Sequence, residues 1–293
     1  MKTRRAVIYG TLAATLAPTF SRLAWSAETP ARVLKRIAER IGGRLGVDVL
    51  DSQSGRRFGI DDSSRYAMAS TFKVPLAAAL LWQVDRKAFT LDHRIRIEKS
   101  QLLPNSPAVE VKLMSTADAM TVRELLAAVV VQSDNAAANI LLRAMGGPSS
   151  LTEFFRTLGD NTTRLDRFEP DLNSNVADDP RDTTTPRAMV DSLLAIFTRD
   201  ELSIASRALL IDWMTASKTG LDRVRAGLPK SWNTGDKTGT GANGAVNDIV
   251  ITYPPQRRPI FIAVYMSDSK LTTPELSAAH AEIGRIVARE KWK

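Results

Sequence analysis

Apolar residues recur at helical spacing across residues 31–41 (Val33, Leu34, Ile37, Ala38, Ile41), and Gly42-Gly43 stops the run, which predicts a first helix. Residues 44–50 and 57–60 alternate instead, on either side of Asp51-Ser-Gln-Ser-Gly55, and predict a β-hairpin. A long helical stretch with Pro, Gly and Asn breaks follows over roughly residues 70–215. Strand signals return only at 231–240, 246–253 and 259–267, separated by the turn residues Gly241-Ala-Asn-Gly244 and Pro254-Pro255. The last stretch, 275–290, sets Leu276, Ala279, Ile283, Ile286 and Val287 on one helical face.

Two early strands and three late ones thus bracket a helical block. The pattern predicts an α/β fold of the α+β sandwich type. One five-stranded mixed or antiparallel sheet is covered by the terminal helices, and an all-helical domain is inserted between its halves. The α/β domain covers residues 27–65 and 216–293, the helical domain covers 66–215, and the cleft between them is the natural place for a site. No internal repeat or low-complexity segment interrupts this plan.

Residues 1–26 stand apart from the pattern. A basic start (Lys2, Arg4, Arg5), an apolar stretch over 6–20 and a small-residue exit at Ala24-Trp-Ser26 read as an export signal. Thr3-Arg4-Arg5-Ala-Val-Ile resembles the twin-arginine type, with the general secretory route as the alternative. The stretch is short for a membrane span and is broken by Pro18, although an uncleaved anchor is the other reading. Cleavage predicts a periplasmic protein with no membrane attachment.

Removing that segment changes the charge. The full chain carries +8, of which Lys2, Arg4, Arg5 and Arg22 supply four with no acid among them, so the mature body is near +4. That is mildly basic and no footprint for nucleic acid. The chain has no cysteine, which excludes a disulfide scaffold, a thiol nucleophile and a cysteine metal site. A body of about 265 residues must then rest on a buried apolar core, and at 44% hydrophobic residues it can. The two histidines, His93 and His280, lie far apart in sequence and flank no acidic cluster, leaving little material for a zinc site or a Ser-His-Asp triad. Serine chemistry here needs a different base.

A short polar turn opens into a long apolar run at residues 66–82, with Ser70 at its head and Lys73 three residues on, one face of a first helical turn. Unpaired N–H groups at a helix start suit a hydroxyl that must act as a nucleophile and hold an oxyanion nearby. A capping serine and a solvated lysine would look the same, and Ser-x-x-Lys arises by chance on the order of once in a chain this long. Ser133-Asp134-Asn135 follows the apolar helix 122–132 and precedes another; by itself it is a helix cap. Lys237-Thr238-Gly239-Thr240 ends an expected strand. All three in this order are far rarer than any one alone.

Together, Ser70-x-x-Lys73, Ser133-Asp134-Asn135 and Lys237-Thr238-Gly239 resemble the motif set of class A serine β-lactamases and penicillin-binding proteins. The stretch from Arg164 through Asp166, Arg167, Glu169 and Pro170 to Asn173 is similar to the class A loop that carries a deacylating carboxylate, which penicillin-binding proteins lack. The similarity runs over essentially the whole mature chain. It includes Asp182-Thr-Thr-Thr-Pro186 and Arg223-Val-Arg-Ala-Gly-Leu-Pro229.

The resemblance implies a β-lactamase/transpeptidase-like fold with a five-stranded antiparallel sheet and a catalytic loop over 164–182. It implies hydrolysis of penicillins and cephalosporins, giving antibiotic resistance, through an acyl-enzyme on Ser70. Lys73, or Glu169 through a water, takes the serine proton. Ser133 relays a proton to the lactam nitrogen, and Glu169 with Asn173 aims the water that cleaves the ester. Asn135 binds the acylamide side chain. Lys237, Thr238, Gly239 and Thr240 form the strand edge for the substrate carboxylate, with Arg223 as a supporting cation. It further implies ion pairs Arg167–Asp182 and Arg164–Asp166 at the loop ends and a cis Glu169-Pro170 bond. Neither metal nor cofactor enters; the ligands are β-lactam substrates and β-lactam-type inhibitors, and a monomer is expected.

The departures from the common pattern concern substrate range. Asn105 stands where many relatives carry an aromatic wall. Ala69 and Gly241 stand where carbapenem-hydrolysing relatives form a disulfide. Val246 replaces the arginine of narrow-spectrum penicillinases, with Arg223 as its substitute. Together with Thr240 and Asn247-Asp248, this resembles the cefotaximase branch. Two other classes share the scaffold. A penicillin-binding protein or D-alanyl-D-alanine peptidase should stall as the ester, which Glu169 and Asn173 argue against. A silent binding or sensor module should have lost Ser70, Lys73 or Glu169, and none is missing.

Overall fold

The computed structural model describes residues 28–115 and 118–292. Its strands are β1 (Arg44–Asp51), β2 (Arg57–Ile60), β3 (Tyr66–Ala67), β4 (Arg94–Arg96), β5 (Ala119–Thr121), β6 (Thr183–Thr184), β7 (Asn233–Thr240), β8 (Val246–Tyr253) and β9 (Ile260–Ser267). Its helices are α1 (Pro30–Ile41), α2 (Lys73–Asp85), α3 (Pro107–Met114), α4 (Val122–Val131), α5 (Asn135–Ala144), α6 (Pro148–Thr157), α7 (Pro186–Thr198), α8 (Ile204–Ala216), α9 (Val224–Gly227) and α10 (Thr273–Arg289).

Five strands form one sheet in the order β2-β1-β9-β8-β7, every neighbouring pair antiparallel, as the resemblance implied and the pattern alone had left open to a mixed sheet. The central strand β9 is buried along its whole length, because both sheet faces are covered. Its alternate residues face opposite ways. Ile260, Ile262, Val264 and Met266 join Leu34 and Ile37 of α1 and Ile283 and Val287 of α10 in one cluster. Phe261, Ala263 and Tyr265 join the cluster formed with α2, α4, α7 and α8. The edge strand β7 turns toward the helices and carries residues 237–240.

Helix α2 is apolar around its whole circumference, with nine of its residues buried from Lys73 to Leu81, so it runs through the centre of the helical block. It is preceded by a 3₁₀ turn, Ala69–Phe72, which holds Ser70. The predicted strand 231–240 starts two residues late, because Trp232 N closes a turn on Pro229 O at 3.0 Å. The final helix starts at Thr273, where Thr272 and Glu275 form a capping box.

Four short strands lie inside the stretch read as all-helical. β4 pairs with β5, and β3 pairs with β6 through Tyr66↔Thr184 and Ala67↔Thr183. Two or three residues are too few to display a period-2 pattern, which is why the sequence concealed them. The β3–β6 pair ties the approach to Ser70 to the exit of the 164–182 loop, and Met68 N extends it by donating to Asp182 O at 2.9 Å. Among the described residues no helix is long and apolar enough to cross a membrane. The predicted export signal, residues 1–26, lies outside the described residues.

Candidate active site

Ser70 sits in a strained turn: Ala69 before it has φ +44°, a region side-chain-bearing residues seldom adopt. Ser70 caps no helix; its hydroxyl donates to Glu169 Oε1 at 3.5 Å. Lys73 opens α2 and is fully buried. Its Nζ donates to Ser133 O (2.8 Å), Ser133 Oγ (3.3 Å) and Asn135 Oδ1 (2.6 Å), and lies 3.1 Å from Glu169 Oε1. Within the described residues the Ser70 hydroxyl therefore meets Glu169, and Lys73 reaches it through that shared oxygen. Burial lowers the Lys73 pKa, and the Glu169 charge opposes that shift.

Ser133, with φ +59°, is held out of α5, and Asp134 is the residue that caps it, accepting from Ala137 N at 2.8 Å. The second Asp134 oxygen accepts from Ala108 N and Val109 N, which fixes the start of α3. Ser133 Oγ lies between two ammonium groups, since Lys237 Nζ also donates to it at 3.0 Å. Asn135 completes its bonding with Pro104 O (3.0 Å), and its backbone N–H donates to Asn105 O.

Glu169 is almost wholly buried on the 164–182 loop. One carboxylate oxygen faces Ser70 and Lys73; the other accepts from Asn173 Nδ2 at 2.5 Å. The Asn173 Oδ1 atom is buried without a protein partner. The Glu169-Pro170 bond is cis. The loop ends carry the two ion pairs read from sequence, Arg167–Asp182 and Arg164–Asp166, each at 2.5 Å. Asp182 also accepts from the backbone N–H groups of Asp166 and Arg167, closing the loop's neck.

On β7, Lys237 is fully buried; burial and the nearby Lys73 charge push its pKa down to about 7, with Asp236 opposing. Thr238 Oγ1 donates to Thr219 Oγ1 at 2.7 Å. Gly239 is obligatory by contact: a Cβ there would lie 2.7 Å from Met68 O and 3.2 Å from Ser70 N, so the strand edge abuts the serine turn. Thr240 is exposed at the strand end. Arg223 is 5% exposed and lies behind the strand, donating to Gly239 O (3.0 Å), Asn247 O (2.6 Å) and Thr240 Oγ1 (2.7 Å). It acts on the edge through Thr240 and the strand carbonyls.

Sequence reasoning missed Asn139, and it read Asn247 only as a mark of substrate range, yet both frame the site. Asn139 brackets the Glu169 backbone, and Asn247 donates from Nδ2 to Ala67 O (2.9 Å) and Met68 O (3.2 Å), pinning the serine turn to the sheet. The signal for Asn139 was its place one helical turn after Asn135; a buried amide on an apolar helix needs partners. Among the described residues neither histidine is hydrogen-bonded to a motif residue, and His280 feels only the charge of Arg223 from behind the strand. His280 is buried in α10 against Leu276 O, and burial pushes its pKa down to about 3.

Residues 29–290 match the model of the β-lactamase enzyme family. The chain is 39% identical over 265 residues to β-lactamase L2 of Stenotrophomonas maltophilia, covering 90% of this chain and 86% of that one. It is 43% identical over 236 residues to the carbapenem-hydrolysing β-lactamase KPC of Klebsiella oxytoca, covering 80% of each. An ancestral class A β-lactamase (GNCA) superposes with a TM-score of 0.86 at 49% identity, covering 88% of this chain and 98% of that one. The chain belongs to the class A serine β-lactamases, a family of hydrolases.

Proposed function

We propose that this enzyme hydrolyses penicillins and cephalosporins through an acyl-enzyme on Ser70 that Glu169 then helps water to cleave. One observation carries the reading: a single buried carboxylate reaches Ser70 with one oxygen and Asn173 with the other.

The substrate carboxylate docks at Lys237, Thr238 and Thr240, with Arg223 holding the Thr240 hydroxyl from behind. Ser70 Oγ attacks the lactam carbonyl carbon. The carbonyl oxygen becomes an oxyanion facing the backbone N–H groups of Ser70 and Thr240, an arrangement of roughly 10²–10³-fold benefit per donor. The serine proton goes to Lys73, which burial brings nearer to its neutral, proton-accepting form, or through water to Glu169. The C–N bond breaks as Ser133, poised between two ammonium groups, passes its proton to the lactam nitrogen and regains one from Lys73, to which Glu169 returns any proton it took. Glu169 then takes a proton from a water held with Asn173, whose Oδ1 has acceptor capacity to spare; the hydroxide adds to the ester carbonyl carbon, and the C–O bond breaks as the proton returns from Glu169 to Ser70 Oγ. On this reading the mature enzyme acts in the periplasm as a monomer and confers β-lactam resistance.

Intact-mass spectrometry after seconds and then minutes with a slight excess of benzylpenicillin, alongside lactam absorbance, tests it. Lactam loss with the protein mass back at its starting value supports hydrolysis. A persistent stoichiometric adduct would make this a stalled acyl-enzyme, and no reaction at all would make it a binder.

A further inference from the structure

Two asparagines outside the proposed chemistry join its two halves. Asn175, on the 164–182 loop, donates from Nδ2 to the carbonyls of Ala242 and Asn243 and to Ser267 Oγ, each at 3.1 Å. Asn243, in the turn after β7, donates back from Nδ2 to the carbonyls of Ser174 (3.3 Å) and Asn175 (2.9 Å). Between them Ala242 N donates to Asn173 O at 2.9 Å, and Asp268 N donates to Asn243 O at 2.8 Å. Both asparagines have positive φ, +43° and +51°, a region this residue type enters more readily than most. The approach is close: a Cβ on Gly241 would lie 2.8 Å from Asn173 O.

We propose that Asn175 and Asn243 form a reciprocal amide clamp that sets Asn173 and Glu169 against the strand edge, making both asparagines positioning residues for cleavage of the acyl-enzyme rather than for its formation. The proposal rests on the Ser70/Glu169 hydrolase reading. The groups that form the ester are held by other contacts: the serine turn by Asn247, Lys73 by Ser133 and Asn135, and Arg223 and Thr240 by each other. On one side the clamp closes on the turn after β7 and on Ser267, and on the other on the loop segment that presents the water. A displacement of about 1 Å there is enough to slow a reaction roughly a hundredfold.

Glycine at either position keeps the left-handed backbone and removes the donor, so the variants are Asn175→Gly and Asn243→Gly. Each is compared with the parent on benzylpenicillin for single-turnover acylation, steady-state kcat and KM, and the acylated fraction by intact mass. Deacylation should slow by about tenfold or more, with kcat and KM falling together, kcat/KM held within about twofold and adduct accumulating. Parent-like deacylation in the variants, or acylation falling in step with kcat, overturns the clamp. Asn243 is on an exposed turn, so Asn243→Gly decides the matter if Asn175→Gly does not fold. A parent enzyme that itself keeps its adduct overturns the hydrolase reading, a result separate from any difference between parent and variants.

Discussion

The side-chain amide of Asn139 closes on the backbone of Glu169 from both sides: Glu169 N donates to Asn139 Oδ1, and Asn139 Nδ2 donates to Glu169 O, each at 2.9 Å. One turn earlier on α5, the Asn135 amide oxygen accepts from Lys73. One helix face therefore fixes both members of the Lys73–Glu169 pair, whose charges lie 3.1 Å apart.

Asn139→Ala leaves the two backbone groups of Glu169 buried and unpaired, at about 1–3 kcal/mol each. Urea unfolding should show a loss of about 2–6 kcal/mol, and hydrolysis should fall in the fraction that remains folded. Unchanged unfolding would mean that the loop re-pairs these groups by itself.

Glu169→Ala should still acylate and then hold the benzylpenicillin adduct on Ser70, with deacylation slowed by roughly 10²–10⁴-fold. Intact mass after minutes reads this directly. The same change removes the charge that opposes burial at Lys73, so the Lys73 pKa moves further down, which NMR titration of labelled lysines checks. Turnover at the parental rate would remove Glu169 from the chemistry.

The pKa of Lys237 near 7 gives a pH dependence with a definite sign. The cation is present below that value and is lost above it, so kcat/KM for substrates bearing the carboxylate should fall on the alkaline side in the free enzyme. Lys237→Arg stays charged, and its alkaline limb should move to higher pH even where its absolute rate is lower. A limb that stays in place assigns it to another group.

His280 has a folded pKa of about 3 against about 6.5 when unfolded. Between these values the unfolded chain binds a proton that the folded one does not, so stability falls as pH drops through that window. The loss reaches about 3 kcal/mol by pH 4. His280→Leu should flatten the stability curve from pH 6.5 to 4, measured by denaturant unfolding at each pH.

The sheet was legible because its strands are long enough to alternate and its central strand is apolar throughout, so the order of hydrophobic patches carried the topology. Ser70, Lys73, Ser133, Asn135, Glu169, Asn173 and Lys237 are linked by one chain of polar contacts, and their spacing in sequence had singled them out, whereas Thr238 bonds Thr219 and Asp134 caps α5. Arg223 was legible as a cation, yet its burial behind β7 was not, because nothing local marks which side of a strand an arginine will take. The contacts of Asn139, Asn175, Asn243 and Asn247 were not legible for a shared reason, although Asn243 stood out as a turn residue and Asn247 as a mark of substrate range. An asparagine that satisfies backbone groups far along the chain has no periodic or motif signature, and its partners are named only by the fold.

The two-residue ladder between β3 and β6 also constrains how the enzyme can vary. It joins the approach to Ser70 to the loop's exit, while the Asp166–Asp182 contacts seal the loop's entrance, so an added or deleted residue at either end would drag the serine turn with it. Residues 176–178 lie outside the neck contacts of Asp166 and Asp182 and beyond the Asn175–Asn243 clamp, and all three are exposed, whereas Asp179 pairs with Arg167 and Pro180 O accepts from Thr183. Length changes that alter substrate range while sparing the serine's geometry are therefore confined to this one short stretch, which makes it the part of the loop open to evolutionary experiment.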